Sequence, residues 1–134
     1  DKVIRMCLIH DLGECFIGDI PTFAKTDADE AREEAELMAW VRSLPEPVSG
    51  EMEALYREMI ALETPEAKLY KAMDKLEAIV QHNESDIATW EPHEYQLNMT
   101  YADDAVAWSP VLRELREAIR EDTKEKIAAA EQQA

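Results

Sequence analysis

Apolar residues recur along most of the chain at intervals of three and four, the spacing that places them on one face of an α-helix. The sequence has three glycines and no stretch in which apolar and polar residues alternate, so β-strands are not expected. We therefore predict an all-α fold that forms a single domain over residues 1–134. Five helices are expected, at about residues 1 to 15, 29 to 43, 51 to 63, 65 to 82 and from 110 onward.

Local signals mark where these helices begin and end. Thr64-Pro65 and Ser109-Pro110 each place a capping side chain before a proline at the first helical position. The loop from Ile17 to Thr26 should follow the first helix, and Pro45 and Pro47 should end the second. Residues 84–108 show an irregular pattern with spaced aromatic residues, which predicts loops or short helices.

Four of the predicted helices have a stripe that should face the interior. The expected interior residues are Ala31, Ala35, Met38, Ala39 and Val41; Met52, Leu55, Met59 and Leu62; Leu69, Met73, Leu76 and Val80; and Val111, Leu112, Leu115, Ala118 and Ile119.

Composition limits the partners and the location of the protein. The formal net charge of −16 should repel nucleic acid backbones and anionic membranes. A small phosphorylated substrate is compatible with that charge if a cation neutralises the phosphate locally. Cys7 and Cys15 should lie about 12 Å apart along one helix, too far for a disulfide. The absence of a signal-peptide pattern and of a long apolar stretch favours a cytoplasmic location.

Candidate chemistry is concentrated where the first predicted helix ends. His10-Asp11 is followed one turn later by Glu14, and then by Gly18-Asp19-Ile20-Pro21. On a helix Glu14 shares a face with both His10 and Asp11, so an imidazole and two carboxylates should be neighbours. A metal bound there needs a further ligand, and Asp74, on an amphipathic helix, is the best candidate.

Simpler interpretations exist for each of these residues. His10 could be a hydrogen-bonded core histidine, and Asp74 could pair with Lys71 or Lys75. Asp19 after Gly18 could be an ordinary turn residue. Two other histidines, His82 and His93, are weaker candidates for a metal ligand.

The ordered set of motifs resembles the HD-domain metal-dependent phosphohydrolases, and within them the 5′-deoxynucleotidase branch. The resemblance rests on HDLGE at 10–14, GDIPT at 18–22 and AMDKLE at 72–77. It implies an HD-domain-like helical bundle that binds a divalent metal, hydrolyses deoxyribonucleoside 5′-monophosphates and forms a homodimer. The mixed nitrogen and oxygen ligands suit Mn, Co, Fe or Zn better than Ca. The residues that it implies are His10, Asp11 and Asp74 as metal ligands, Glu14 and Asp19 as catalytic groups, and Asp19, Ile20, Pro21 and Thr22 as substrate contacts.

The chain departs from the family pattern in one respect. The family's first metal-binding histidine lies on an earlier helix, and only nine residues precede His10. We therefore expect the N-terminal helices of the domain to lie outside this sequence. Another HD-class nucleotide phosphohydrolase or phosphodiesterase, a non-catalytic HD scaffold and an acidic adaptor for basic partners remain alternatives.

Overall fold

A computed structural model of the protein describes residues 1–20 and 25–132. These residues form helices and loops without a β-strand, which confirms the predicted all-α class. The elements are α1 (Lys2–Ile9), α2 (Glu14–Ile17), α3 (Asp27–Ser43), α4 (Val48–Ala61), α5 (Pro65–Glu84), a 3-10 helix (Ile87–Thr89), α6 (Glu94–Thr100), α7 (Asp103–Val106) and α8 (Pro110–Glu131).

The chain divides into two compact units, Asp1–Tyr70 and the residues from Lys71 onward. In the first unit α3 packs against α2 and α4, and α1 packs against α4. The side chains buried in its core are Met6, Leu37, Met38, Val41, Tyr56, Met59, Ala67 and Tyr70.

The first helix is shorter than predicted, because α1 ends at Ile9 instead of continuing to residue 15. Residues 10–13 form tight turns, in which the Leu12 N–H bonds the Ile9 carbonyl and the Glu14 N–H bonds the Asp11 carbonyl, each three residues back. The Tyr56 hydroxyl also donates a hydrogen bond to the Ile9 carbonyl, at 2.7 Å. A contact from a distant helix thus satisfies a helix end that the local sequence does not mark.

The second predicted helix is α3, and it begins with a capping box that fixes its first turn. The Asp29 N–H donates to the Thr26 hydroxyl oxygen, and the Thr26 N–H donates to the Asp29 carboxylate at 3.0 Å. At the other end Leu44 is extended, the conformation favoured before Pro45. The prediction of this helix is confirmed, with a start two residues earlier.

The fourth predicted helix is also confirmed. Leu62, with φ of 51°, ends α4 in the left-handed region. Thr64 then caps α5, because its hydroxyl accepts a hydrogen bond from the Ala67 N–H at 3.2 Å. Ser109 caps α8 in the same way through the Leu112 N–H, at 3.4 Å.

The second unit buries polar groups together with apolar ones. Arg116 is 1% exposed, and it donates hydrogen bonds to the carbonyls of Asn98 and Tyr101. Its guanidinium also pairs with Asp103 at 3.1 Å. In the same unit the Thr123 hydroxyl donates to the Asn83 side chain at 2.9 Å. The interior face of α8 is therefore partly polar.

Several predicted interior positions are wrong. The exposed ones are Ala31, Ala35, Ala39, Leu62, Met73, Val80, Val111, Leu115 and Ala118. In α8 the buried face passes through Leu112, Arg116, Ile119 and Thr123, so two polar residues occupy positions that the apolar stripe alone does not indicate.

Candidate functional site

His10 lies directly after α1, and a backbone hydrogen bond fixes its ring. Its Nδ1 is 2.7 Å from the Cys7 carbonyl oxygen. Because a carbonyl can only accept, Nδ1 carries the hydrogen and the neutral ring has its lone pair on Nε2. Metal-binding histidines are commonly oriented in this way, by a hydrogen bond from the other ring nitrogen.

The Nε2 atom of His10 faces Asp11, whose Oδ2 is 3.1 Å away. A lone pair and a carboxylate this close are stabilised by a proton between them or by a cation that both ligate. Two adjacent ligands of an octahedral metal, each at about 2.1 Å, are separated by about 3 Å. The pair therefore suits a divalent metal in both chemistry and spacing.

Glu14 begins α2, and its surroundings raise the pKa of its carboxyl above the ordinary value. Burial is the largest cause, and the negative charges of Asp11, Asp19 and Glu33 add to it. The charge of Lys25 acts in the opposite direction. Glu14 is thus a partly buried carboxyl with increased proton affinity, a property of many catalytic acids and bases.

Asp19 and Ile20 follow a sharp change in chain direction. Gly18 has φ of 86°, a conformation that favours glycine, and its N–H bonds the Glu14 carbonyl at 2.7 Å. Asp19 is exposed, and it is close enough to affect the pKa of Glu14. The other two predicted substrate contacts, Pro21 and Thr22, lie outside the described residues.

Asp74 lies on α5 in the second unit and is partly buried. Lys71, one turn earlier, donates a hydrogen bond to its Oδ2 at 2.7 Å. This is the pairing that the sequence left open as the simpler interpretation. The role of Asp74 as a metal ligand stays a prediction.

The other two histidines both belong to the second unit. The Nδ1 atom of His82 lies 2.9 Å from the Asn98 amide oxygen, and its ring is tilted at 45° to that of Trp90, with 5.9 Å between ring centroids. His93 precedes the first turn of α6. His82 thus has the structural contacts of a packed histidine.

An ion pair that the sequence did not predict lies beside the turn at residues 10–13. Lys25 Nζ lies 2.5 Å from Glu33 Oε2. A Cβ atom at Gly13 would lie 2.7 Å from both Cγ and Oε1 of Glu33, so the absence of a side chain at Gly13 lets Glu33 pack against this turn. The sequence does single out Lys25, because no other Lys or Arg occurs between Arg5 and Arg32.

Within residues 1–20 and 25–132, no three His, Cys, Asp or Glu side chains are arranged to hold a metal ion. No helix in that part of the chain has the length and the hydropathy needed to cross a membrane.

The family of the chain follows from comparison with known proteins. A family model described as an HD domain matches residues 1–116, so the chain belongs to the HD-domain family, and the predicted resemblance is confirmed. Its relatives include the human protein named 5′-deoxynucleotidase HDDC2, which is 32% identical over 98 residues, 72% of this chain and 48% of the relative. The zebrafish (Danio rerio) protein of the same name is 33% identical over 98 residues, 72% of this chain and 49% of the relative.

The mouse (Mus musculus) protein of that name is 35% identical over 86 residues, covering 63% of this chain and 43% of the relative. The chain thus spans about half the length of the curated relatives it matches. No solved structure matches it.

Proposed function

We propose that the chain carries part of the active site of a metal-dependent phosphohydrolase that converts deoxyribonucleoside 5′-monophosphates to deoxynucleoside and phosphate. The observation that carries this proposal is the contact of His10 with Asp11, in which Nε2 faces a carboxylate oxygen at 3.1 Å while Nδ1 is bound to a backbone carbonyl. The names of the HD-domain relatives support the substrate class.

His10 and Asp11 are the proposed metal ligands in the first unit, and Asp74 is the further ligand that the family resemblance implies. A bound divalent ion, with Mn, Co, Fe and Zn as candidates, supplies charge neutralisation of the phosphate and a more acidic water. The Cys7 carbonyl keeps the His10 ring in the orientation that presents Nε2.

Glu14 is the proposed general base. Its carboxylate takes a proton from the attacking water as the water oxygen bonds to phosphorus, and the bond from phosphorus to the 5′ oxygen breaks. The proton then passes to the 5′ oxygen, so the products are a deoxynucleoside and phosphate. The raised pKa of Glu14 increases its affinity for this proton.

Asp19 is proposed to hold the substrate or to assist the proton transfer, together with Ile20, Pro21 and Thr22 as substrate contacts. Asp19 is exposed beside the left-handed Gly18. This role is supported by the exposure of Asp19 and by the effect of its charge on the pKa of Glu14. A homodimer and a cytoplasmic location stay predictions.

Phosphate release from deoxyribonucleoside and ribonucleoside monophosphates, with added Mn or Co, tests the function. We expect release that favours deoxy substrates and falls by about 100-fold or more in Glu14→Gln, because a general base typically contributes a factor of this size. Glu36→Gln, an exposed change on α3, is the control and should leave the rate unchanged.

Other outcomes of the same assay distinguish the alternatives. Hydrolysis of cyclic nucleotides or nucleoside triphosphates in preference to monophosphates would indicate another HD-class phosphohydrolase. A folded wild-type chain with no metal-dependent release from any substrate would contradict catalysis by this chain and favour the scaffold.

A further inference from the structure

We propose that Lys25 binds the phosphate of the substrate, held in place by Glu33 against the turn that carries His10 and Asp11. This proposal rests on the phosphohydrolase function proposed above and adds a residue that neither the motifs nor the comparisons assign.

The ammonium group of Lys25 has a fixed position beside Glu33. Lys25 Nζ lies 2.5 Å from Glu33 Oε2, and both side chains are largely buried, at 21% and 16% exposed. Glu33 in turn packs on Gly13, where a Cβ atom would lie 2.7 Å from two of its atoms. The positive charge is therefore fixed next to the residues that link Asp11 to Glu14.

The backbone on the C-terminal side of Lys25 is also fixed. Thr26 is the N-cap of α3, and its side chain and N–H both bond Asp29. Glu33 lies about two turns along the same helix. The helix thus carries Glu33, and its N-cap fixes the backbone next to Lys25, which reduces the entropy lost when the lysine takes up a ligand.

The charges around Glu14 are mostly negative, and Lys25 opposes them. A phosphate monoester carries a charge of about −1.5 to −2 at neutral pH. It would approach Glu14 in an environment where Asp11, Asp19 and Glu33 are negative and where Lys25 exerts the opposing charge. The paired carboxylate of Glu33 raises the pKa of Lys25 above its ordinary value, so the ammonium stays charged. A fixed, charged lysine counters the repulsion that an acidic site imposes on its substrate.

Steady-state kinetics with deoxyadenosine monophosphate, and inhibition by inorganic phosphate, test the proposal. Lys25→Ala should raise both KM and the inhibition constant of phosphate roughly 10- to 100-fold, the equivalent of one charge-assisted hydrogen bond, with a smaller change in kcat. Lys25→Arg should restore most of the binding. Lys25→Gln is a second variant, of similar length, should the alanine variant fail to fold.

Lys2→Ala is the matched control, because Lys2 also pairs with a glutamate in the first unit, at 3.0 Å from Glu58. It should leave both constants unchanged. If Lys25→Ala and Lys2→Ala lower the melting temperature alike while KM stays within about twofold of wild type, Lys25 has only a structural role and the proposal is wrong.

Titration with inorganic phosphate, followed by phosphorus NMR, separates this proposal from the catalytic one. A wild-type chain that releases no phosphate from nucleotides but binds phosphate at least tenfold more tightly than Lys25→Gln would contradict the phosphohydrolase and support Lys25. A wild-type chain that neither hydrolyses nucleotides nor binds phosphate would overturn both.

Discussion

Glu14 has a cost in stability that follows from its surroundings. Burial and three nearby carboxylates raise the pKa of its carboxyl above the ordinary 4.5. A carboxyl with a raised pKa binds its proton more tightly in the folded state than in the unfolded state. The protonated carboxyl therefore contributes its full stabilisation below pH 4.5. This stabilisation is lost as pH rises through the pKa of the folded state.

Ionisation of Glu14 should therefore destabilise the folded protein near neutral pH. In metal-free buffer at pH 7, Glu14→Gln should melt at a higher temperature than wild type, because the neutral amide avoids the repulsion that the ionised carboxylate experiences. The difference should shrink as pH is lowered towards 4. Thermal unfolding followed by circular dichroism measures it, with Glu36→Gln as the exposed control. A lower melting temperature for Glu14→Gln at pH 7 would show that Glu14 makes favourable contacts that outweigh the repulsion.

Tyr56 supports the residue that precedes the candidate site. Its hydroxyl donates to the Ile9 carbonyl at 2.7 Å, and burial raises the pKa of the phenol to about 12. Tyr56→Phe removes the hydrogen bond and leaves the ring in place. The free energy of unfolding should fall by about 1 kcal/mol, the usual net value of such a bond. Urea denaturation measures the loss.

Tyr95→Phe serves as a comparison for that experiment, because Tyr95 lies in the second unit with its ring against Trp90, 5.3 Å between centroids. Its loss of stability should be smaller. Equal losses in the two variants would mean that the bond to Ile9 has no particular importance for the end of α1.

The turn between α1 and α2 depends on a missing side chain. Gly13→Ala places a methyl group 2.7 Å from the Glu33 side chain, so Glu33 and its partner Lys25 must move. We expect a loss of about 1 to 3 kcal/mol in unfolding free energy, the usual cost of overpacking, and a higher KM for the nucleotide. Denaturation and steady-state kinetics of one preparation measure both.

Gly50→Ala provides the contrast, since Gly50 lies within α4 and its nearest neighbour is the Glu46 carboxylate oxygen, 3.1 Å from an added Cβ. Alanine is the better helix former by about 1 kcal/mol, so this variant should keep or gain stability and leave KM unchanged. A Gly13→Ala protein that behaves like Gly50→Ala would remove the argument that Glu33 needs the space at Gly13.

The starts of α5 and α8 were predictable from the sequence, whereas the end of α1 was not. Thr64 and Ser109 act on the residues that follow them within a few positions, so their capping roles can be inferred from local sequence. The end of α1 involves the Tyr56 hydroxyl, 47 residues away. The buried face of α8 includes Arg116 because carbonyls at Asn98 and Tyr101 accept its hydrogen bonds. Long-range polar contacts of this kind leave no periodic pattern.

The candidate site also combines contacts that short sequence spacing predicts with contacts that depend on long-range packing. The proximity of His10 to Asp11 and of Asp11 to Glu14 follows from short spacing, and the structure shows the first contact directly, at 3.1 Å. The place of Lys25 depends on the packing of α3 against the turn at Gly13. Neither partner of that packing is near the other in sequence.

The whole molecule is strongly acidic, with 30 Asp and Glu against 14 Lys and Arg. Like charges at this excess repel one another more in the compact state than in the extended chain. At pH 7 the melting temperature should therefore rise when NaCl is increased from about 0.01 M to about 0.3 M, as screening shortens the range of the repulsion. Calorimetry or circular dichroism measures the shift.

The control for the salt experiment is pH. Near pH 4.4, the isoelectric point of the sequence, the net charge is close to zero and added salt should change the melting temperature little. A melting temperature that falls with salt at pH 7 would mean that screened ion pairs, such as Arg42 with Glu53 and Lys2 with Glu58, outweigh the general repulsion.

The hydrogen bond that orients His10 has a consequence for natural variation. Its acceptor is the main-chain oxygen of Cys7, which every amino acid possesses. Replacement or oxidation of the Cys7 thiol therefore leaves the acceptor in place as long as α1 keeps its course. Substitutions at position 7 should therefore leave the orientation of the His10 ring unchanged. The identity of that amino acid carries little information about whether His10 is correctly aligned.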